Sequence, residues 1–198
     1  ALAFAIAAAA GLFLALVGGW PILAIGLLSL ALGYLYSMGP WPLSATPVGE
    51  VLVIAFFGVA AVAGTAFLHG AAPDTRVLWT GVFLGLPAAS VLLVNNHRDR
   101  VGDARGGRRT LAILIDENGS RALYAGLNAA ALLGLLAVQG ACAASAPAFV
   151  VAGLLALHLA RRMAILPVSR ALNGVLAMTA LYQFVLLIAL GLSRLLCG

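Results

Sequence analysis

Long apolar runs, broken only by Gly, Pro or brief charged stretches, set the pattern of this chain. Seven of them approach the roughly 20 apolar residues that cross the hydrocarbon core of a bilayer. They cover about 1–17, 20–38, 48–69, 76–96, 121–139, 146–160 and 172–196. Gly18-Gly19 and Gly39-Pro40 close the first two, as residues that interrupt a helix do. The runs are continuous rather than alternating, which excludes bilayer-crossing strands. The pattern therefore predicts an all-α fold, a polytopic transmembrane helical bundle of about seven spans. No repeat or linker divides it, so 1–198 reads as a single transmembrane domain. Small residues such as Gly58, Gly64, Gly81 and Gly85 would let helix backbones approach closely.

Composition agrees. A mean hydropathy of +1.12 with 64% hydrophobic and 9% charged residues excludes a water-soluble domain. The formal charge of +5 rests on arginine alone, since there is no lysine. Nucleic-acid binding does not fit, because a basic groove needs charge along a water-facing surface and here most of the surface must face membrane lipid. The first run has no basic leader and no small-residue cleavage site, so it reads as a span rather than a signal peptide. Cys142 and Cys197 have no metal-like spacing, and a disulfide between them stays open.

Ten charged side chains fall within 98–121. With alternating spans and that block on the cytoplasmic face, Arg161, Arg162 and Arg170 share its side. The start of the chain and the connection at 39–47 do too, so three connections would surround one mouth. Only Arg76 and Arg194 lie near the opposite face.

The block itself, 95–111, reads NNHRDRVGDARGGRRTL. Asn95, Asp99 and Asp103 are spaced by four, so on a continuing helix they share one face. Such oxygen ligands suit Mg2+, which takes one or two carboxylates and completes its shell with water and substrate phosphate. Gly106-Gly107 would let the chain turn and bring Arg105, Arg108 and Arg109 back over the same place. Together these describe a pocket for a diphosphate whose tail lies in lipid. The alternative from spacing alone is a positive-inside anchor with its acids paired to its arginines.

The same residues resemble the second aspartate-rich motif of the UbiA superfamily of intramembrane prenyltransferases, and most closely its menaquinone branch, the 1,4-dihydroxy-2-naphthoate polyprenyltransferases. The branch reads N-N-x-R-D-x-x-x-D-x-x-x-G-K-R-T-L. Asn95, Asn96, Arg98, Asp99, Asp103, Gly107, Arg109, Thr110 and Leu111 match, with Arg108 at the usual lysine. A second stretch is similar to the segment around Y-T-x-G-P and G-E-x-x-x-x-x-F-F-G. It matches through Tyr36, Gly39, Pro40, Pro42, Leu43, Gly49, Glu50, Phe56, Phe57, Gly58, Gly64 and Thr65. Ala45-Thr46-Pro47 replaces the tyrosine and basic residue common before Gly-Glu, which leaves aromatic-acceptor binding by that loop in question.

The resemblance implies a nine-helix fold whose third to ninth helices correspond to these seven spans. The family's first aspartate-rich motif has no counterpart here and is expected upstream of Ala1. The resemblance further implies Mg2+-dependent transfer of a polyprenyl group from polyprenyl diphosphate to an aromatic acceptor, in a bacterial cytoplasmic membrane. Asp99 and Asp103 would be metal ligands and the catalytic acids, with Asn95 a ligating or orienting amide. Arg98, Arg108 and Arg109 would face the diphosphate, and Tyr36 the substrate. Arg98 has a salt bridge to a neighbouring acid as its alternative role, and Glu50 either caps helix amides or assists the acceptor. Arg100 and Arg105 are expected to be solvated, and His69, His97 and His158 to be structural or interfacial. The competing function is a non-catalytic subunit descended from the family, holding lipid or quinone among membrane-complex partners. Other aromatic acceptors, such as 4-hydroxybenzoate or a chlorophyll precursor, remain open within the superfamily.

Overall fold

A chain in hydrocarbon has to satisfy its amides within each segment, and every apolar run here folds as a helix. A computed structural model describes residues 2–38, 42–139 and 142–197. The chain runs through α1 (Leu2–Gly18), α2 (Trp20–Ser37) and a composite third span, Gly49–Leu68. That span consists of α3 (Gly49–Val53), a π-helical stretch (Ile54–Ala60) and α4 (Ala61–Leu68). Then follow α5 (Thr75–Arg105), the short α6 (Leu111–Leu114), α7 (Asp116–Gln139), α8 (Ala146–Ile165) and α9 (Asn173–Cys197). Six spans, beginning at α2, are long and apolar enough to cross a bilayer. At 17 residues, α1 sits at the lower end of the spanning range of about 17–25. Among the described residues there is no strand.

α8 runs to Ile165, beyond the expected 160, and two further boundaries differ from the sequence pattern next to the charged block. α5 does not stop at Asn96 but carries the charged block on a continuous helix to Arg105. Asp74 starts it by accepting from the Val77 amide at 2.8 Å. α7 begins at Asp116 rather than near Arg121, because Asp116 and Glu117 favour the positive end of a helix dipole. The Asp116 carboxylate accepts from the Gly119 amide at 2.9 Å.

α5 is the axis of the bundle. Its most apolar stretch is 56% buried, against 28% for α7, α8 and the last span and 6% for α2 and Gly49–Leu68. It packs against the third span, α6, α7 and α9. Lipid is as apolar as leucine, so helix association rests on close packing and interhelical hydrogen bonds rather than on escape from water. Both occur along α5. Gly58 of the π-helical stretch meets Gly81 and Gly85 backbone to backbone, whereas Gly64 packs loosely. Deeper in the core the Tyr182 hydroxyl donates to Asn128 O at 2.7 Å, and Asn128 Nδ2 donates to Ser90 Oγ at 3.1 Å. α9, α7 and α5 are thereby joined. Gln183 Nε2 donates to Leu84 O at 3.0 Å, in the turn that Pro87 loosens.

A Cβ at Gly85 would lie 3.0 Å from backbone atoms of Ile54, which have no rotamer to escape into. Gly85→Leu is therefore expected to lower stability by about 1–3 kcal/mol, the usual cost of overpacking. Thermal unfolding in detergent measures it, and an unchanged midpoint would contradict this crossing.

Seven alternating helices put the α5–α6–α7 corner, the 42–48 connection and the α8–α9 connection at one end of the bundle. The other end carries a Cys142–Cys197 disulfide, which joins the α7–α8 connection to the end of α9. It resolves what the sequence left open for the two cysteines.

Candidate functional site

The continuation of α5 brings Asn95, Asp99 and Asp103 onto one face, with about 6 Å of rise between successive members. All three are partly buried. Asp99 lines a cavity of about 470 Å³ together with Arg98, Ser169, Arg170 and Asn173. Asp103 sits one turn further out, outside that lining.

Each acid carries an arginine. Arg98 grips Asp99 with a fork, Nε to Oδ1 at 2.7 Å and Nη2 to Oδ2 at 2.5 Å. The same guanidinium donates to Asn95 Oδ1 at 2.8 Å and to Asn173 Oδ1 at 2.7 Å. Of the two roles open to Arg98, the structure shows the salt bridge. Arg108 donates to Asp103 Oδ1 at 2.9 Å and to Ser44 O at 2.6 Å. It reaches both because Gly107 takes φ 77°, a left-handed turn that favours glycine. Arg109 contributes its backbone amide, which donates to Ala45 O at 2.8 Å, while its side chain is exposed. Arg108 and Arg109 thus dock the 42–48 connection onto the end of α5, and the two motif-bearing stretches meet.

Tyr36 belongs to that corner. It is half-buried at the end of α2, and its hydroxyl would lie 3.8 Å from a Cβ at Gly49. Glu50 does more than sit in the first turn of α3. It is 4% exposed, and Oε1 accepts from Asn96 Nδ2 at 3.0 Å, while Oε2 has no partner. The sequence could not show this pair, whose members lie 46 positions apart. Asn96→Leu removes that donor and is expected to cost about 1–3 kcal/mol, most of it recovered in the Glu50→Leu/Asn96→Leu double variant. Thermal unfolding of both decides it, and equal midpoints for Asn96→Leu and the parent would contradict the pairing.

Other expectations are met or corrected. His97 is structural, 1% exposed with neither ring nitrogen partnered. Arg100 is not simply solvated: it lies 3.8 Å from Glu117, which also pairs with Arg121 at 2.8 Å. Arg105 is exposed. Sequence reasoning placed Arg170 on this side of the membrane, but it missed Ser169 and Asn173 and the contact of all three with the end of α5. No local spacing encodes that contact.

Among the described residues no three His, Cys, Asp or Glu side chains converge as a metal cage. Two carboxylates and an amide on one helix face are oxygen donors of the kind hard divalent ions take, fewer than a full coordination shell.

The family model for the UbiA prenyltransferases matches residues 1–171. The chain belongs to the UbiA prenyltransferase family. Curated proteins similar to it include three named 1,4-dihydroxy-2-naphthoate octaprenyltransferase. The Mycobacterium tuberculosis protein is 39% identical over 127 residues, 64% of this chain and 44% of the relative. The Bacillus subtilis protein is 32% identical over 148 residues, 75% of this chain and 48% of the relative. The Haemophilus influenzae protein is 32% identical over 121 residues, 61% of this chain and 39% of the relative. The alignments thus span about half the length of these relatives or less. No solved structure gives a significant match. The six long apolar helices and the UbiA family together make this an integral membrane protein.

Proposed function

We propose that this chain transfers a polyprenyl group from polyprenyl diphosphate to an aromatic acceptor, 1,4-dihydroxy-2-naphthoate, in menaquinone biosynthesis. The observation that carries the reading is the row Asn95, Asp99, Asp103 on α5, held by Arg98 and Arg108 beside a cavity at the polar end of the bundle. The names of the curated relatives support the acceptor. Divalent-metal dependence is general in the family, and we take the ion to be Mg2+, whose habit of pairing one or two carboxylates with water and phosphate oxygens suits this donor set. Asp99 and Asp103 would hold it, with Asn95 ligating or orienting. When bound, the ion draws charge from the departing diphosphate.

The chain's own residues do the rest. Arg98 and Arg108 exchange carboxylate for phosphate oxygens, since a guanidinium fork fits both, and Arg109 faces the same group from the docked corner. As the allylic C–O bond breaks, both electrons leave with the diphosphate. The ring carbon attacks the cation, and the acceptor's carboxylate departs as carbon dioxide. To Tyr36, in the docked corner, we assign the role of bordering the cation with its ring face.

Orientation follows from charge and redox chemistry. Nine of the eleven arginines lie at the end bearing the site, which by the positive-inside rule is cytoplasmic in a bacterial inner membrane. The disulfide lies at the other end, where an oxidising compartment keeps such bonds closed.

Membranes carrying the protein, supplied with dihydroxynaphthoate, polyprenyl diphosphate and Mg2+, are expected to form prenylated naphthoquinol. Product from 4-hydroxybenzoate alone would overturn the acceptor. A second reading, a non-catalytic subunit that binds lipid or quinone within a membrane complex, is favoured by the arginine already on each acid. Absence of product from every aromatic acceptor would select it.

A further inference from the structure

We infer that Arg170 and Ser169, on the connection between α8 and α9, form an anion-binding wall of the cavity that Asp99 also lines and take phosphate oxygens of the donor's diphosphate. This rests on the proposed transferase reading and extends it to residues outside the second aspartate-rich motif.

All five residues lining the cavity are polar or charged, and its volume of about 470 Å³ falls within the roughly 300–1,000 Å³ of small-molecule sites. Its charge is unbalanced. Arg98 is neutralised by the Asp99 fork, so Arg170 supplies a remaining positive charge. No acid is left to answer it. Glu50 is bound to Asn96, Asp74 caps α5 at the far end and Asp103 holds Arg108. Asp116 caps α7, and Glu117 pairs with Arg121 and Arg100. Those five and Asp99 are all the acids of the chain, and among the described residues Arg170 forms no ion pair.

An exposed guanidinium without a counter-ion, lining the same cavity as a carboxylate already held by Arg98, attracts an anion rather than a metal or an apolar group. Ser169 is exposed beside it and adds a hydroxyl. Asn173 has a different part: its Oδ1 accepts from Arg98 Nη1 at 2.7 Å, which holds the guanidinium against the α8–α9 connection. It is a positioning residue. A diphosphate placed there would have both Arg98 and Arg170 among its lining residues.

The test compares parent, Arg170→Gln and Arg170→Lys proteins in lipid nanodiscs. It measures transfer kinetics and, separately, calorimetric binding of inorganic pyrophosphate. Arg170→Gln is expected to raise the KM for polyprenyl diphosphate and the Kd for pyrophosphate by about tenfold, as loss of one charge-assisted contact does. The acceptor KM should hold, and Arg170→Lys should recover part of the loss. Equal donor KM and pyrophosphate Kd in parent and Arg170→Gln would overturn the inference while an active parent leaves the transferase reading intact. An inactive parent whose pyrophosphate binding still weakens in Arg170→Gln would support the wall and overturn that reading. A lipid headgroup is the other source of phosphate. If binding of phosphatidylglycerol depends on Arg170 but binding of pyrophosphate does not, the diphosphate assignment fails.

Discussion

Asp99→Ala is expected to lower prenyl transfer by more than about 100-fold, and removal of divalent metal by a chelator should do the same. Loss of an outer-shell partner already costs metal sites about 10–100-fold, and Asp99 is assigned as a direct ligand. The substitution also strips Arg98 of its fork, so the guanidinium that should meet phosphate loses one of its anchors and keeps only Asn95 and Asn173. Both effects fall on the same step. The measurement is product formed per minute in membranes at matched expression, with added Mg2+ and with chelator. Asp103→Ala should fall comparably, and it should further loosen the 42–48 connection, because Arg108 bridges Asp103 and Ser44. Near-parental rates in either variant would sink the metal assignment.

The second large effect concerns stability. Cys142→Ser or Cys197→Ser is expected to remove about 2–4 kcal/mol, a typical contribution of a native disulfide that closes a long loop. The bond spans 55 positions and holds α8 and α9 as one unit. Reducing the parent protein should reproduce the loss, and the two treatments combined should add nothing. Thermal midpoints in detergent with and without reductant distinguish these outcomes. A midpoint indifferent to both would show that helix packing alone closes that end.

Much of this architecture is written locally in the chain. Runs of apolar residues in a bilayer have few options other than a helix, so the spans follow from length and composition. The four-residue spacing of Asn95, Asp99 and Asp103 required only that α5 continue, and it does so to Arg105. Gly106-Gly107 likewise announces the turn that returns Arg108 to Asp103. What stays hidden is relation across the bundle. Ser169 and Asn173 look like ordinary connection residues until packing carries them to Asp99. Glu50 looks like a helix-start acid until Asn96 is found beside it. The cysteines have no motif, and only the fold makes neighbours of their two chain ends. Even Arg98, whose two roles were both visible, shows its salt bridge to Asp99 only in the folded bundle.

The length of α5 has a bearing on substrate traffic. Its 31 residues measure about 46 Å, against a hydrocarbon core of about 30 Å. With its first turn at one edge of the core and its axis near the bilayer normal, its last turns, with Asp99 and Asp103, reach the depth of lipid headgroups rather than of the tails. The transfer proposed above would then leave the prenyl donor dissolved in its leaflet with only its head presented for scission, and let the spent pyrophosphate escape straight into the aqueous phase.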